Sequence, residues 1–191
     1  MNAPSPPSLD PEARNRLLTI ARDSIERGLA EGRPMKVDPG AFPAALRAER
    51  ACFVTLKRHG ELRGCIGHLE ACAPLVCDVV ENAFSAAFRD PRFAPLTPPE
   101  LEDLEIHISV LTPAEPIAFD SEAELLRQIR PFVDGLILEE GLHRGTFLPS
   151  VWEQLPEPEQ FLRHLKLKAG LGEHYWSGEM RVSRYETESF P

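Results

Sequence analysis

The segment 62–67, Leu-Arg-Gly-Cys-Ile-Gly, contains the residue with the most definable chemistry, Cys65. A cysteine thiolate is a nucleophile and a covalent attachment point, and a neighbouring guanidinium favours it. Arg63 lies two residues away, which puts both side chains on one face of a β-strand. We predict a thiol site with Cys65 and Arg63 as catalytic residues, where Gly64 and Gly67 give a ligand close access. The alternative is a small buried cysteine beside glycines that serve sheet curvature or helix packing.

A second group of functional side chains lies in the segment 90–93, Asp-Pro-Arg-Phe. We expect Asp90 to pair with the guanidinium of Arg63 or of Arg92. Such a pair would hold a positive charge beside Cys65, with Arg92 as a binding residue. Asp90 is also a candidate proton acceptor and is therefore assigned as a catalytic residue. The alternative is a helix-exit turn held together by an Asp–Arg pair, and one pair can serve both purposes.

Lys168 is a predicted anion-binding residue near the end of a helix over residues 158–169. The alternative is a favourable positive charge at a helix C-terminus. His68 follows Cys65 at the spacing C-x-x-H, but residues three apart on a strand point to opposite faces. The spacings of the four cysteines match no zinc ribbon or ferredoxin motif. We therefore expect no metal and no cofactor.

Two strands, residues 51–57 and 61–68, must position the thiol. We predict a three-residue loop over 58–60 with glycine third, because it places Leu56 opposite Leu62 and keeps apolar side chains on one face. A two-residue turn at 59–60 would mix apolar and polar faces. The predicted polar face holds Thr55, Arg63 and Cys65, with Thr55 as a binding residue. The predicted apolar face holds Val54, Leu62 and Ile66.

The same order of elements is predicted twice along the chain, about 10–111 and 115–190. Each half reads as a helix, a hairpin, a second helix and a strand, with Asp10 and Ser121 as helix N-caps and Gly32 and Gly170 at helix ends. We predict an α+β fold in which the two pseudo-repeats form one curved, largely antiparallel, barrel-like sheet with helices packed on it.

Composition favours a cytoplasmic globular protein of 191 residues. Residues 1–9 are predicted to be a disordered leader without signal-peptide features, and residues 10–191 to be one domain. No apolar run is long enough to span a membrane, so no membrane partner is expected. The net charge of -9 without a basic cluster disfavours nucleic acid as a partner. Four cysteines without a signal peptide indicate free thiols in a reducing compartment.

Several ordered segments resemble the AmmeMemoRadiSam system protein A family, which carries the AMMECR domain. The resemblance rests on residues 53–56 with 62–67, 86–93, 148–152, and 168–171 before Trp176, with weaker support at 108–111 and 134–136. It covers about residues 10–190. The family implies a two-repeat α+β fold, and partnership with a radical S-adenosylmethionine protein and a Memo-like protein related to extradiol dioxygenases.

Two functions are consistent with these residues and with the resemblance. The first is a non-catalytic binding or accessory subunit of that three-protein system, in which the face around Cys65 is a docking surface. The second is a small thiol-dependent enzyme or covalent carrier that uses Cys65 as nucleophile with assistance from Arg63. We favour the first, because one cysteine and one arginine do not make a complete acid–base set.

Overall fold

A computed structural model of the chain describes residues 8–191. It divides the chain into two compact units. Unit 1 runs to Thr112 and also includes Glu188–Pro191, whereas unit 2 comprises Pro113–Thr187. Within residues 8–191, no helix has the length and apolar character needed to cross a bilayer.

Unit 1 packs helices on a four-stranded sheet of order β2-β1-β3-β8. Its elements are α1 (Pro11–Glu31), α2 (Ala44–Arg47), β1 (Cys52–Arg58), β2 (Glu61–Gly67), α3 (Leu75–Phe88), β3 (Leu104–Leu111) and β8 (Thr187–Phe190). The predicted cap of α1 is confirmed, because the Asp10 carboxylate accepts from the Ala13 N–H. Gly32 ends this helix in a left-handed conformation, as predicted. Leu9 is buried in the same core, and residues 1–7 of the predicted leader lie outside the described residues.

The predicted register of the β1–β2 hairpin is wrong. The connection is a two-residue turn in which His59 and Gly60 both have positive φ, as a type I′ turn requires. A β-bulge after Leu62 then shifts the pairing, so Thr55 lies opposite Cys65 rather than Arg63. Leu62 is consequently paired with Lys57 and exposed, whereas we expected it on the apolar face.

Unit 2 has its own four-stranded sheet, of order β4-β7-β5-β6. Its elements are β4 (Glu115–Pro116), α4 (Glu122–Gln128), β5 (Gly135–Glu140), β6 (His143–Phe147), α5 (Pro158–Lys168) and β7 (Arg181–Tyr185). Three aromatic rings pack against one another in its core. Trp152 stacks on Phe161 with ring centroids 3.7 Å apart, and Phe147 contacts Phe161 edge-on.

The mixed α and β composition is confirmed, but the single barrel-like sheet is wrong. Five α-helices accompany two open antiparallel four-stranded sheets among the described residues. Each unit contains a helix, a hairpin, a second helix and a strand in that order, while an internal duplication stays a prediction. We predicted that the second half would extend to residue 190. In the structure Glu188–Phe190 instead belong to the sheet of unit 1.

Candidate functional site around Cys65

Cys65 lies in the middle of β2 and is partly exposed. Its Sγ accepts a hydrogen bond from the Thr55 hydroxyl at 3.3 Å, because the two residues are direct cross-strand neighbours. Two of the predicted site residues therefore touch one another. Their contact depends on the bulge, since the register that we predicted would have placed Arg63 opposite Thr55.

The loop that follows α3 holds Cys65 by its backbone. The buried Asp90 carboxylate accepts from the Cys65 N–H at 2.9 Å and from the Arg92 guanidinium at 2.7 Å. Arg92 also donates to the Cys65 carbonyl at 3.2 Å. The Asp90–Arg92 pairing, one of the two pairings that we considered, therefore connects this loop to β2. The Arg92 hydrogen bonds hold the pKa of Asp90 well below its ordinary value, and the pKa of Arg92 is raised in return.

Arg63 does not pair with Asp90. Its Nε donates to Glu100 at 2.8 Å, and its Nη2 donates to the Ala94 carbonyl at 2.9 Å. Hydrogen bonding to Arg63 is the main reason that the pKa of Glu100 is lowered to about 2. Arg92, not Arg63, is thus the guanidinium that contacts Cys65.

The glycines on both sides of Cys65 lie against other parts of this chain. A Cβ at Gly64 would overlap the carbonyl oxygen of Ala86, so this glycine lets β2 approach the backbone of α3. A Cβ at Gly67 would overlap the ring of Phe53. These surroundings favour the packing interpretation of both glycines over the expected access for a ligand.

His107 is a neighbour of the site that the sequence did not indicate. It lies on β3 directly opposite Thr55, so His107, Thr55 and Cys65 form one row across three strands. The pairing of β1 with β3 joins segments some fifty residues apart in the chain, and no local pattern predicts it.

A second polar cluster lies at Cys52, the first residue of β1. The Asp78 carboxylate accepts from the backbone N–H and the thiol of Cys52 and lies 2.6 Å from His68 Nδ1. Burial raises the pKa of the Cys52 thiol well above its ordinary value, so this cysteine is a poor nucleophile. His68 therefore interacts with a buried carboxylate, away from Cys65.

Lys168 belongs to unit 2, at the last turn of α5. Its Nζ lies 5.0 Å from the centre of the Phe147 ring, a distance typical of a cation–π interaction. The neighbouring Lys166 is fully buried, and its Nζ lies 2.8 Å from the Glu122 carboxylate. The buried lysine was not predicted, because the helical pattern alone gave no reason to bury its charge.

The arrangement around Cys65 combines an accessible thiol, a hydroxyl and a fixed guanidinium. Both oxygens of Asp90 accept hydrogen bonds, and its lowered pKa makes it a weak proton acceptor. Arg63 and Glu100 likewise neutralise one another. The charged groups therefore hold this face of β2 in place, whereas the side chains of Cys65 and Thr55 bond only to one another among the hydrogen bonds of the described residues.

Known proteins resemble this chain along most of its length. The AMMECR1 family model matches residues 18–190. A protein of Methanothermobacter thermautotrophicus is 42% identical over 176 residues, which cover 91% of each chain. Protein MJ0810 of Methanocaldococcus jannaschii is 40% identical over 174 residues, 89% of this chain and 85% of the relative. The crystal structure of uncharacterized protein PH0010 from Pyrococcus horikoshii matches with a TM-score of 0.82 and 35% identity, covering 91% of this chain and 88% of that chain.

Proposed function

The chain belongs to the AMMECR1 family, and from that premise we propose that it is a cytoplasmic, non-catalytic binding subunit. Its partners would be the radical S-adenosylmethionine protein and the Memo-like protein that the resemblance implies. The docking surface is the face formed by Thr55, Cys65 and Arg92, which we call the thiol face. Residues 10–191 would act together as the family domain.

One observation carries this proposal: the ionised groups around Cys65 are already paired with one another. Asp90 is bonded to Arg92 and to the β2 backbone, and Arg63 is bonded to Glu100. A catalytic carboxylate needs a pKa near the working pH, whereas the hydrogen bonds of Asp90 lower its pKa. The paired charges are thus poorly suited to acid–base chemistry, whereas the partly exposed Cys65 and Thr55 side chains can contact another protein.

Titration of the purified chain with each purified partner, followed by calorimetry, tests this function. Thr55→Arg places a large charged side chain beside Cys65 and is expected to weaken the complex at least tenfold, since about 1.4 kcal/mol of lost contact suffices. Leu142→Arg is the matched control, because Leu142 is fully exposed in the β5–β6 turn of unit 2. Unchanged melting temperatures establish that both variants fold. Binding of neither partner by the unaltered chain would refute the proposal.

The alternative function, a thiol-dependent enzyme or covalent carrier, is favoured by a different observation. Cys65 is partly exposed, and the guanidinium of Arg92 lies against its backbone. Incubation with the partners and their substrates should then leave a covalent adduct on Cys65 detectable by mass spectrometry. Exposed Cys72 is the reference thiol in the same chain. Under the binding proposal, Cys65→Ser keeps partner affinity within about twofold, which is under about 0.5 kcal/mol.

A further inference from the structure

Within residues 8–191, only part of the β3 edge that faces away from β1 is covered by another strand. β3 has eight residues, whereas its other neighbour, β8, has four. The hydroxyls of Ser109 and Ser189 lie 2.8 Å apart, which places β8 beside the second half of β3. The first half, from Leu104 to His107, instead lines an open groove of about 450 Å³.

The hydrogen-bonding pattern defines which backbone groups face this groove. In an antiparallel pair, alternate residues direct their N–H and C=O groups toward the partner strand. The Leu111 N–H donates to the Ala51 carbonyl, so the odd-numbered residues of β3 bond to β1. The even-numbered residues, including Leu104 and Ile106, therefore direct their backbone groups toward the groove.

Arg22 of α1 supports this assignment. Its guanidinium donates to the Leu104 carbonyl at 2.9 Å and to the Leu101 carbonyl at 3.3 Å. The Leu104 carbonyl can be reached in this way only if it points out of the sheet edge, as the pattern requires. Arg22 thus satisfies one carbonyl, and the N–H and C=O groups of Ile106 remain directed at the groove.

The side chains that line the groove favour a positively charged ligand. One side is formed by α1 through Leu18, Thr19, Arg22 and Asp23, and the other side includes Glu105 and Pro191. The guanidinium of Arg22 bonds to two uncharged carbonyls rather than to the carboxylates of Asp23 and Glu105. Glu105 also lies 3.8 Å from the imidazole Nε2 of His107, which is charged only when protonated. A ligand with positively charged side chains complements this wall.

We propose that this groove binds an extended, basic peptide segment of a partner protein, which pairs with Ile106 and continues the sheet on the edge that β8 already occupies. Strand addition of this kind derives its affinity from backbone hydrogen bonds and its specificity from alternate side chains. The same device already joins β8 to β3 within the chain. The groove reaches His107, the cross-strand neighbour of Thr55, but it contains none of the three residues of the thiol face, and the proposal does not depend on the function proposed for that face.

The probe is a synthetic peptide of alternating lysine and valine, and the readout is hydrogen exchange of single amides. On binding, the Ile106 N–H should become protected at least tenfold, whereas the Ile108 N–H, which lies beside β8, should change little. A peptide with N-methyl groups along one edge cannot donate the backbone bonds and should not protect Ile106. Equal binding of the methylated peptide, or an unprotected Ile106, would overturn the proposal.

A charge reversal tests the preference for a basic ligand. Asp23→Lys should weaken binding of the lysine–valine peptide about threefold to tenfold, the range for one or two solvent-exposed ion pairs. Asp23 is exposed on α1, so the variant should keep its melting temperature. Glu153→Lys makes the same change of charge on an exposed residue of unit 2 and should leave affinity unchanged. Tighter binding of a glutamate–valine peptide would contradict the assigned ligand class.

Discussion

The hairpins of the two units have corresponding positions but use them differently. Gly64 lies opposite Leu56 in unit 1, and Gly145 lies opposite Leu138 in unit 2. Each glycine faces the end of the helix that follows its hairpin. The next residue is Cys65 in unit 1 and Thr146 in unit 2. The two hairpins thus present different chemistry from equivalent places on a strand.

The two hairpins differ in how the side chains at these positions are hydrogen bonded. The Thr146 hydroxyl donates to the Leu136 carbonyl at 2.9 Å and lies 3.2 Å from the Tyr185 hydroxyl, so it serves its own sheet. Cys65 contacts only the Thr55 side chain through its sulfur among the hydrogen bonds of the described residues. Both residues are partly exposed, but the Thr146 hydroxyl is bonded to the backbone of its own sheet, whereas the Cys65 sulfur only accepts a bond from Thr55. This difference is why we propose the binding function for unit 1.

Replacing the two glycines with alanine should give the largest difference between the hairpins. At Gly64 the added methyl group would overlap a backbone carbonyl of α3, which cannot move without shifting the helix. We expect a loss of about 3 kcal/mol or more in the free energy of unfolding. At Gly145 the methyl group would lie 3.0 Å from both the Cβ and the backbone N of Ala169, a contact that a shift of a few tenths of an ångström relieves, so the loss should be about 1 kcal/mol. Urea unfolding measures both, and equal losses would contradict the closer helix contact in unit 1.

The two Asp–Arg pairs provide the next test. Asp90 and Asp134 are both buried, and each pairs with an arginine that is about half exposed. Asparagine at either position should cost about 2 kcal/mol of stability, because a buried acceptor loses charge-assisted hydrogen bonds. Only Asp90 holds a strand of the thiol face, so only Asp90→Asn should also change the alkylation rate of Cys65.

The rate at which iodoacetamide alkylates Cys65, relative to the rate at Cys72 in the same sample, shows whether Asp90 and Asp134 differ in their effect on this thiol. A change of twofold or more in Asp90→Asn, with none in Asp134→Asn, is the expected result. If Asp134→Asn altered the rate as much, Asp90 would have no special connection to the thiol, and its hydrogen bond to the Cys65 N–H would be of structural importance alone.

The sequence predicted most elements but not the geometry of the thiol face. Helix periodicity with capping residues is local, and so α1 and α4 begin at the predicted caps, Asp10 and Ser121. The hairpin register failed because the apolar pattern placed Leu62 in the core. In the structure the turn at His59 and Gly60 determines the pairing next to the loop. The bulge after Leu62 then shifts the pairing by one residue, so that Leu56 lies opposite Gly64.

The partners of the charged residues could not be read from the sequence for a related reason. Asp90 and Arg92 are two residues apart, and their pairing was among the predicted alternatives. The partner of Arg63 is Glu100, thirty-seven residues further along the chain, in the 3₁₀-helix that precedes β3. Only the packed arrangement of β2 against this segment brings the two charges together.

Acid unfolding distinguishes the Arg63–Glu100 ion pair of unit 1 from the Arg144–Glu139 ion pair of unit 2. The pKa of Glu100 is lowered from 4.5 to about 2. A lowered pKa contributes stability that is complete above pH 4.5 and is lost as the pH falls toward 2. The pair is partly open to solvent, so we expect a contribution of about 1 to 2 kcal/mol. The difference in unfolding free energy between the unaltered chain and Glu100→Gln should therefore shrink across this range.

The counterpart in unit 2 is the pair between Arg144, which precedes Gly145, and Glu139. Its Nε–Oε1 distance is 3.5 Å, and both side chains are about two-fifths exposed. Glu139→Gln should change stability by less than about 0.5 kcal/mol, as exposed ion pairs usually do. A pH dependence as large as that of Glu100 would show that the difference in burial between the two pairs has no energetic consequence.

The smallest expected effect concerns the two threonines. Thr146→Val removes a hydroxyl that donates to a carbonyl within the sheet, and the loss should be about 1 kcal/mol. Thr55→Val removes only a bond to sulfur, which is a weak acceptor, so stability should fall by less than about 0.5 kcal/mol. Thermal and urea unfolding compare the two directly. The reverse order would mean that the Thr55–Cys65 contact stabilises unit 1, and the case for leaving this face free for a partner would weaken accordingly.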